Sequence, residues 1–251
     1  MRPAPRMFTR QDLGEGAYAL SSEQARYLGR VLRLGPGADI RLFNGRQGEW
    51  VYRLARIDGR GGEAMPVEQR RLQAEPSGKP VLLFAPLKRG PTELIAQKAT
   101  EMGAVRLQPV ITSRTNRDQV RIDRLHTIAV EAAEQCERLS VPDIAEPVPL
   151  DDGLRTVESY VFCDEAGDQP NEPWGGEMGR AGLADRVFGE VSASPDAVLV
   201  GPEGGFTPDE RARLRADPRA LPISLGPRIL RAETAALVAL TLWQVRFGDL
   251  A

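Results

Sequence analysis

Histidine occurs once in this chain of 251 residues and cysteine only twice. His126 with Cys136 and Cys163 does not make a usual zinc set, so no metal is expected. Two cysteines are also too few for a disulfide framework, and the reducing cytoplasm is the expected compartment. No apolar run reaches 18 residues, and the opening MRPAPRMFTR has no apolar signal region. Neither membrane spanning nor secretion is therefore expected. The common nucleotide fingerprints are missing too: no G-x-G-x-x-G opens the first strand–helix unit, and no G-x-x-x-x-G-K-[ST] occurs.

What remains is a globular composition, 41% hydrophobic and 27% charged, with core material for one large domain or two of ordinary size. The net charge of −2 argues mildly against a nucleic-acid partner, but it is unevenly spread. Residues 1–75 hold thirteen arginines, no lysine and nine carboxylates, a balance of +4; residues 76–146 carry +1 and residues 147–251 carry −7. A basic front suits contact with a polyanion, and scattered surface arginines would give the same count.

Residues 4–73 read as short strands (AYAL, ADIRLFNG, EWVYRLARI, AMPVEQRRL) separated by Gly35-Pro36-Gly37, Asn44-Gly45 and Gly61-Gly62, with one helix over about 22–33. This pattern predicts a small β-barrel-like domain, followed by a linker at 73–80. From residue 81 strands and helices alternate. Helices are expected at 91–103, 121–139, 182–192, 208–216 and 231–246, and the strands are VLLFAPL, RLQPVIT, SYVFCDE, AVLVG and LPISLG. Repeated strand–helix units imply an α/β domain with a mostly parallel sheet. Residues 167–182, rich in glycine and polar groups, read as a mobile surface insertion.

Ligands of open α/β sheets sit beyond the carboxyl ends of the strands. Three such ends are unusual: FCDEAG at 162–167, VGPEGGF at 200–206 and LGPRILRAETA at 225–235. Thr207, Pro208 and Glu210 form a helix start after the second. The glycines before it make either a tight turn or a place where backbone amides approach a flat ligand. Arg231 stands at a helix start, against the macrodipole, so it either serves a site or pairs with Glu203 or Glu233. On the long helix, Gln135 and Arg138 share a face able to hold a base edge or a phosphate, or simply face solvent. Lys88-Arg89 serves either phosphate or solubility. His126 has no nucleophile or metal partner nearby and reads as a surface residue.

GPEGGFTPDE (201–210) followed by LGPRILRAETA (225–235) resembles the paired signature of the bacterial small-subunit ribosomal RNA uracil-N3 methyltransferase family, within the SPOUT superfamily of knotted methyltransferases. ARYLGRVLRLGPGADIRLFNG is similar to that family's N-terminal PUA-like barrel. LKRGPTELIAQKATEMGAVRLQPVITSRT and EAAEQCERLSVPDI match two further segments in order. The resemblance implies a PUA-like RNA-binding β-barrel at 1–75 and a SPOUT α/β methyltransferase domain with a trefoil knot at 76–251. It also implies S-adenosyl-L-methionine as cofactor and a cytoplasmic homodimer whose site is completed across the interface. The acceptor would be N3 of a uridine in 16S rRNA of the 30S subunit.

The implied cofactor pocket comprises Phe162, Cys163, Asp164 and Glu165; Val200, Gly201, Pro202, Glu203, Gly204 and Gly205; and Leu225, Gly226, Ile229, Leu230, Arg231 and Thr234. Lys88, Gln135, Arg138 and Arg33 are the expected RNA contacts. Arg231 is expected to stabilise charge on the uracil ring, with Glu233 or solvent taking the N3 proton. The alternatives are methylation of another base or a ribose 2′-OH, or an RNA-binding assembly factor without catalysis.

Overall fold

Glycine-punctuated, two-period sequence at the front of the chain folds as a sheet. The computed structural model describes residues 4–73, 79–115 and 120–250, so most of the linker read at 73–80 lies outside the described residues. The chain divides into two compact units, 1–75 with 133–141, and 76–132 with 142–251. In the first, β1 (Arg6–Phe8), β2 (Tyr18–Leu20), β3 (Asp39–Phe43), β4 (Glu49–Asp58) and β5 (Gly61–Arg71) form one sheet in the order β1-β3-β4-β5-β2. It is a half-barrel, and β1 is a strand that the sequence pattern did not single out. α1 (Ser22–Arg26) starts at a Ser21–Gln24 capping box and runs into a π-helical turn, Tyr27–Val31. Ala25 and Leu28 point inward onto Ile40, Leu42, Tyr52 and Leu54.

In the second unit the chain runs β6 (Val81–Phe84), α2 (Arg89–Glu101), β7 (Arg106–Ile111), α3 (Ile122–Gln135), β8 (Asp143–Ile144), β9 (Val148–Pro149), α4 (Leu150–Leu154), β10 (Tyr160–Cys163), α5 (Ala184–Glu190), β11 (Ala197–Val200), α6 (Pro208–Ala216), β12 (Ala220–Ile223) and α7 (Ala232–Phe247). The strand order is β12-β10-β11-β6-β7-β8, with β9 also on β7, and each of these pairings is parallel. YVFC and AVLV are buried at every position, as strands covered on both faces must be. Alternate side chains serve opposite layers. Val161, Cys163, Val198 and Val200 meet α2, α5 and α7, whereas Tyr160, Phe162, Ala197 and Leu199 meet α4 and Leu214 of α6. Small residues at 235, 236 and 239 let α7 lie close on the sheet.

The α3 helix stops four residues before the sequence pattern ends it, because Glu137 adopts a left-handed backbone (φ 62°). Arginines of the first unit hold its last turn and the chain that leaves it: Arg6 donates to Ala133 O at 2.7 Å and to Arg138 O, and Arg71 to Glu137 O at 2.7 Å. These bonds place 133–141 with the first unit, where a single cut between 75 and 76 puts it with the second.

Candidate active site

Because β10, β11 and β12 are parallel neighbours, their carboxyl ends open on one edge, and the loops that follow them line a cavity of about 330 Å³. Cys163, Asp164 and Glu165 come from the first loop; Val200, Gly201, Pro202, Glu203 and Gly205 from the second; Leu225, Gly226, Ile229, Leu230 and Arg231 from the third, with Glu233 on the first turn of α7. Three of the residues expected in the pocket lie outside its lining: Phe162, Gly204 and Thr234. Phe162 is fully buried beneath the floor, edge-on to Phe206 at 6.1 Å. Gly204 is exposed, its carbonyl accepting from Arg114 at 2.7 Å, and Thr234 faces outward on α7.

The second loop closes as a turn, Gly205 N donating to Pro202 O at 2.9 Å. Gly205 has φ +65°, and a Cβ there would stand 3.3 Å from Glu165 Oε1. At Gly201 a Cβ would meet the Phe206 ring at 3.1 Å. Glycine at these two positions thus brings backbone to the cavity wall where a side chain would crowd it. Thr207 and Glu210 make the expected capping box, and Glu210 also accepts from Ser113 N at 2.7 Å, which fixes the turn to the end of β7.

The first loop is held by a clasp the sequence did not announce. Asp164, 3% exposed, accepts from Arg211 Nε at 2.7 Å and Arg215 Nε at 2.6 Å, both on α6. Arg211 also reaches Ala166 O, Gly167 O, Asp168 and Gly179 O. The segment read as a mobile insertion is therefore tied down at both ends, and its Trp174 (φ 57°) forms part of the cavity wall. Arg228, within the third unusual strand end, lines the cavity too, and Phe206 and Pro91 join it beyond the expected pocket. Phe206 directly follows the glycine pair, the one signal that could have found it. Burial, then the neighbouring Asp164, raises the pKa of Glu165 above the ordinary carboxyl value, and burial likewise pushes the Cys163 thiol up.

Arg231 is the N-cap of α7 (φ −64°, ψ 151°), exposed, with no side-chain capping bond. Among the described residues it forms no ion pair with Glu203 or Glu233, so the loop-bracing alternative finds no support in the contacts. Lys88, the exposed residue before α2, does not line the cavity. Arg33 (φ 58°), Gln135 and Arg138 belong to the first unit; Gln135 is exposed and Arg138 is half-buried. No group of three His, Cys, Asp or Glu among the described residues is placed to hold a metal, and no described helix is long and apolar enough to cross a membrane.

Residues 74–244 match the model of an RNA methyltransferase domain and residues 20–64 that of an RNA methyltransferase PUA domain. The chain is 34% identical over 229 residues to ribosomal RNA small subunit methyltransferase E of Rickettsia conorii, covering 90% of this chain and 87% of that one. It is 33% identical to the Synechocystis protein of the same name, covering 90% and 72%. Among solved structures it is similar to the Neisseria gonorrhoeae methyltransferase E bound to S-adenosyl methionine, with 25% identity, a TM-score of 0.80, and 99% and 100% of the two chains covered. The chain belongs to the ribosomal RNA small subunit methyltransferase E family.

Proposed function

We propose that this protein methylates N3 of a uridine in 16S rRNA of the small ribosomal subunit, using S-adenosyl-L-methionine. The observation that carries the reading is the cavity at the ends of β10, β11 and β12, lined by backbone and apolar side chains with Arg231 and Glu233 at one wall. The lining fits the cofactor. Gly201 and Gly205 leave main-chain groups uncovered, Val200, Leu225, Ile229 and Leu230 offer apolar surface to a flat ring, and Glu165 and Glu203 supply acceptors for hydroxyls or for a cationic group. When bound, the cofactor supplies an electrophilic methyl group.

The residues do the rest. N3 of uracil carries a proton that must leave as the N–CH₃ bond forms, and the charge left behind spreads over O2 and O4. Arg231, which lines the cavity and forms no ion pair with Glu203 or Glu233 among the described residues, stabilises it in this reading. Glu233, half-buried on the same wall, takes the proton or passes it to solvent. The base must be unpaired, since N3 is hidden in a duplex. The basic first unit supplies RNA contacts, Arg33 among them, with Lys88, Gln135 and Arg138 as further contacts.

The same reading makes the protein a cytoplasmic homodimer with a trefoil knot in the second unit. α7 is rich in Ala and Leu; its Val245 is 52% exposed and Leu94 of α2 is 41% exposed, apolar surface that a second copy would cover. The test is the modified-nucleoside profile of 16S rRNA from a strain lacking this protein. A missing N3-methyluridine restored by the wild-type gene is the expected result. A missing 2′-O-methyl or other methylated base would redirect the reading, and an unchanged profile would end it.

A further inference from the structure

The opening turn of α2 borders two hollows. Pro91 lines the main cavity, whereas Arg89, Thr92 and Glu93 line a smaller one of about 100 Å³, completed by Leu87, Val120, Arg121, Arg124 and Leu125. Its floor is apolar, with Leu87 and Leu125 buried. One wall is fixed, because the Thr92 hydroxyl donates to Leu87 O at 3.0 Å and accepts from Leu87 N at 2.9 Å. Its rim is cationic. Glu93 is shared between Arg89 at 2.9 Å and Arg124 at 3.6 Å, and Arg121 pairs with Asp123 at 2.9 Å. Counting Lys88, four cations stand against two carboxylates, and the Arg89 and Arg121 side chains are more than two-thirds exposed. The first turn of α2 has no acidic residue, so Lys88 and Arg89 stand where the helix field disfavours cations.

We propose that this hollow is a binding subsite for the RNA, holding the base edge or ribose of an unpaired nucleotide next to the methyl acceptor, with its phosphate on Arg89 and Arg121. The proposal rests on the reading of the main cavity as an RNA methyltransferase site. An apolar floor takes the flat or sugar part of a nucleotide, and guanidinium forks on the rim match phosphate oxygens. The volume holds part of a nucleotide rather than a free cofactor. Pro91 faces the main cavity from the same turn of α2 that carries Arg89, Thr92 and Glu93, so a strand held here would lead toward that cavity and add binding energy without touching the reacting atoms.

The experiment compares wild type with Arg89→Ala/Arg121→Ala, and with Arg155→Ala/Arg213→Ala as a double charge removal elsewhere on the same unit. Initial rates on 30S particles give kcat and KM, equilibrium binding of a 16S rRNA fragment across a salt series gives the counterion slope, and calorimetry gives cofactor affinity. The Arg89/Arg121 variant is expected to raise KM for particles by about tenfold or more. It should also flatten the slope of log affinity against log salt by roughly 1 to 2, the loss of one or two phosphate contacts. Its kcat at saturating particles and its cofactor affinity should match wild type, and the Arg155/Arg213 variant should leave KM and slope unchanged. Unchanged KM and slope in the Arg89/Arg121 variant overturn the subsite, as does an equal effect from both variants. A change confined to oligomeric state, seen by light scattering, also overturns it, since the hollow would then seat a second copy. If wild type neither methylates particles nor binds the rRNA fragment, the parent reading fails with it; if wild type methylates normally and the variant is unaffected, only the subsite fails.

Discussion

At position 205 a side chain is disfavoured twice over, by the left-handed backbone and by Glu165 Oε1, which lies 3.3 Å from where a Cβ would stand and would have to shift. A β-branched residue there must either flip the turn or push Glu165 into the cavity, at a cost of about 1–3 kcal/mol. Gly205→Val is therefore expected to weaken cofactor binding by tenfold or more in calorimetry, with circular dichroism unchanged. Gly204→Ala is the contrast. Its backbone is not left-handed and its Cβ would touch only the Arg114 side chain, so affinity should hold. Equal losses at both positions would mean that the turn tolerates no change, whatever lines the cavity. Arg231 carries a second prediction. Arg231→Lys should lower the single-turnover rate at saturating cofactor by roughly a hundredfold or more, because a point ammonium does not reproduce a planar fork. Cofactor affinity should stay level, and a normal rate at saturation would remove Arg231 from the chemistry. The sequence made most of this wall legible, since glycines and an ill-placed cation at strand ends break local preference. It placed Gly204 in the wall alongside Gly205 because nothing in a glycine pair tells which backbone turns inward.

Among the elements, the arginines of the first unit converge on one carboxylate. Glu49 on β4, fully buried, meets Arg6 of β1 at 2.5 Å, Arg41 of β3 at 3.5 Å, and Arg70 and Arg71 of β5 at 3.5 and 3.1 Å. Burial alone would raise the Glu49 pKa, but the Arg6 hydrogen bond and charge, then Arg71 and Arg41, outweigh it and hold it below the ordinary value. Burial draws the Arg6 pKa down, yet a guanidinium stays charged throughout. A carboxyl whose pKa is lower folded than unfolded stabilises the fold above its unfolded value, about 4.3, and ceases to as pH falls through the folded value. Glu49→Gln takes the counter-charge from buried Arg6 and half-buried Arg71, leaves Arg41 only its exposed Glu137 partner, and should cost on the order of 3–5 kcal/mol in urea unfolding at pH 7. The gap between wild type and variant should narrow as pH drops below about 4. A gap constant with pH would show that shape, not charge, makes the contribution. Local patterning found β3, β4 and β5, which carry Arg41, Glu49, Arg70 and Arg71, and the capping box at Thr207. It did not find β1, whose three residues pair in parallel with β3 across more than thirty positions of chain. The early end of α3 was equally hidden, because the arginines that take its carbonyls lie far away in sequence.

For the molecule as a whole, those same arginines decide what each unit can do alone. The cavity walls come from β10, β11, β12 and α7, all in the second unit with a core of their own. The end of α3 is different. Arg6 holds Ala133 O and Arg138 O, Arg71 holds Glu137 O, and Phe8 N donates to Glu134 at 2.9 Å. A fragment of residues 79–251 lacks every one of these partners, so the last turn of α3 should fray into solvent, where water takes over its carbonyls. A lost helix end of about 1–2 kcal/mol corresponds to a fall in Tm of several degrees for a chain of this size. Cofactor affinity should nevertheless remain within about tenfold of full length, because no cavity wall has been removed. Methylation of 30S particles should be lost, since the unit with a balance of +4 is gone, together with Arg33 and the fixed setting of Gln135 and Arg138. Titration of the fragment with cofactor, a thermal melt and a particle assay separate these effects. If the fragment binds no cofactor while still folding cooperatively, the cavity depends on the first unit or on a partner copy. If it methylates particles as well as the full chain does, the first unit is not where the RNA is held.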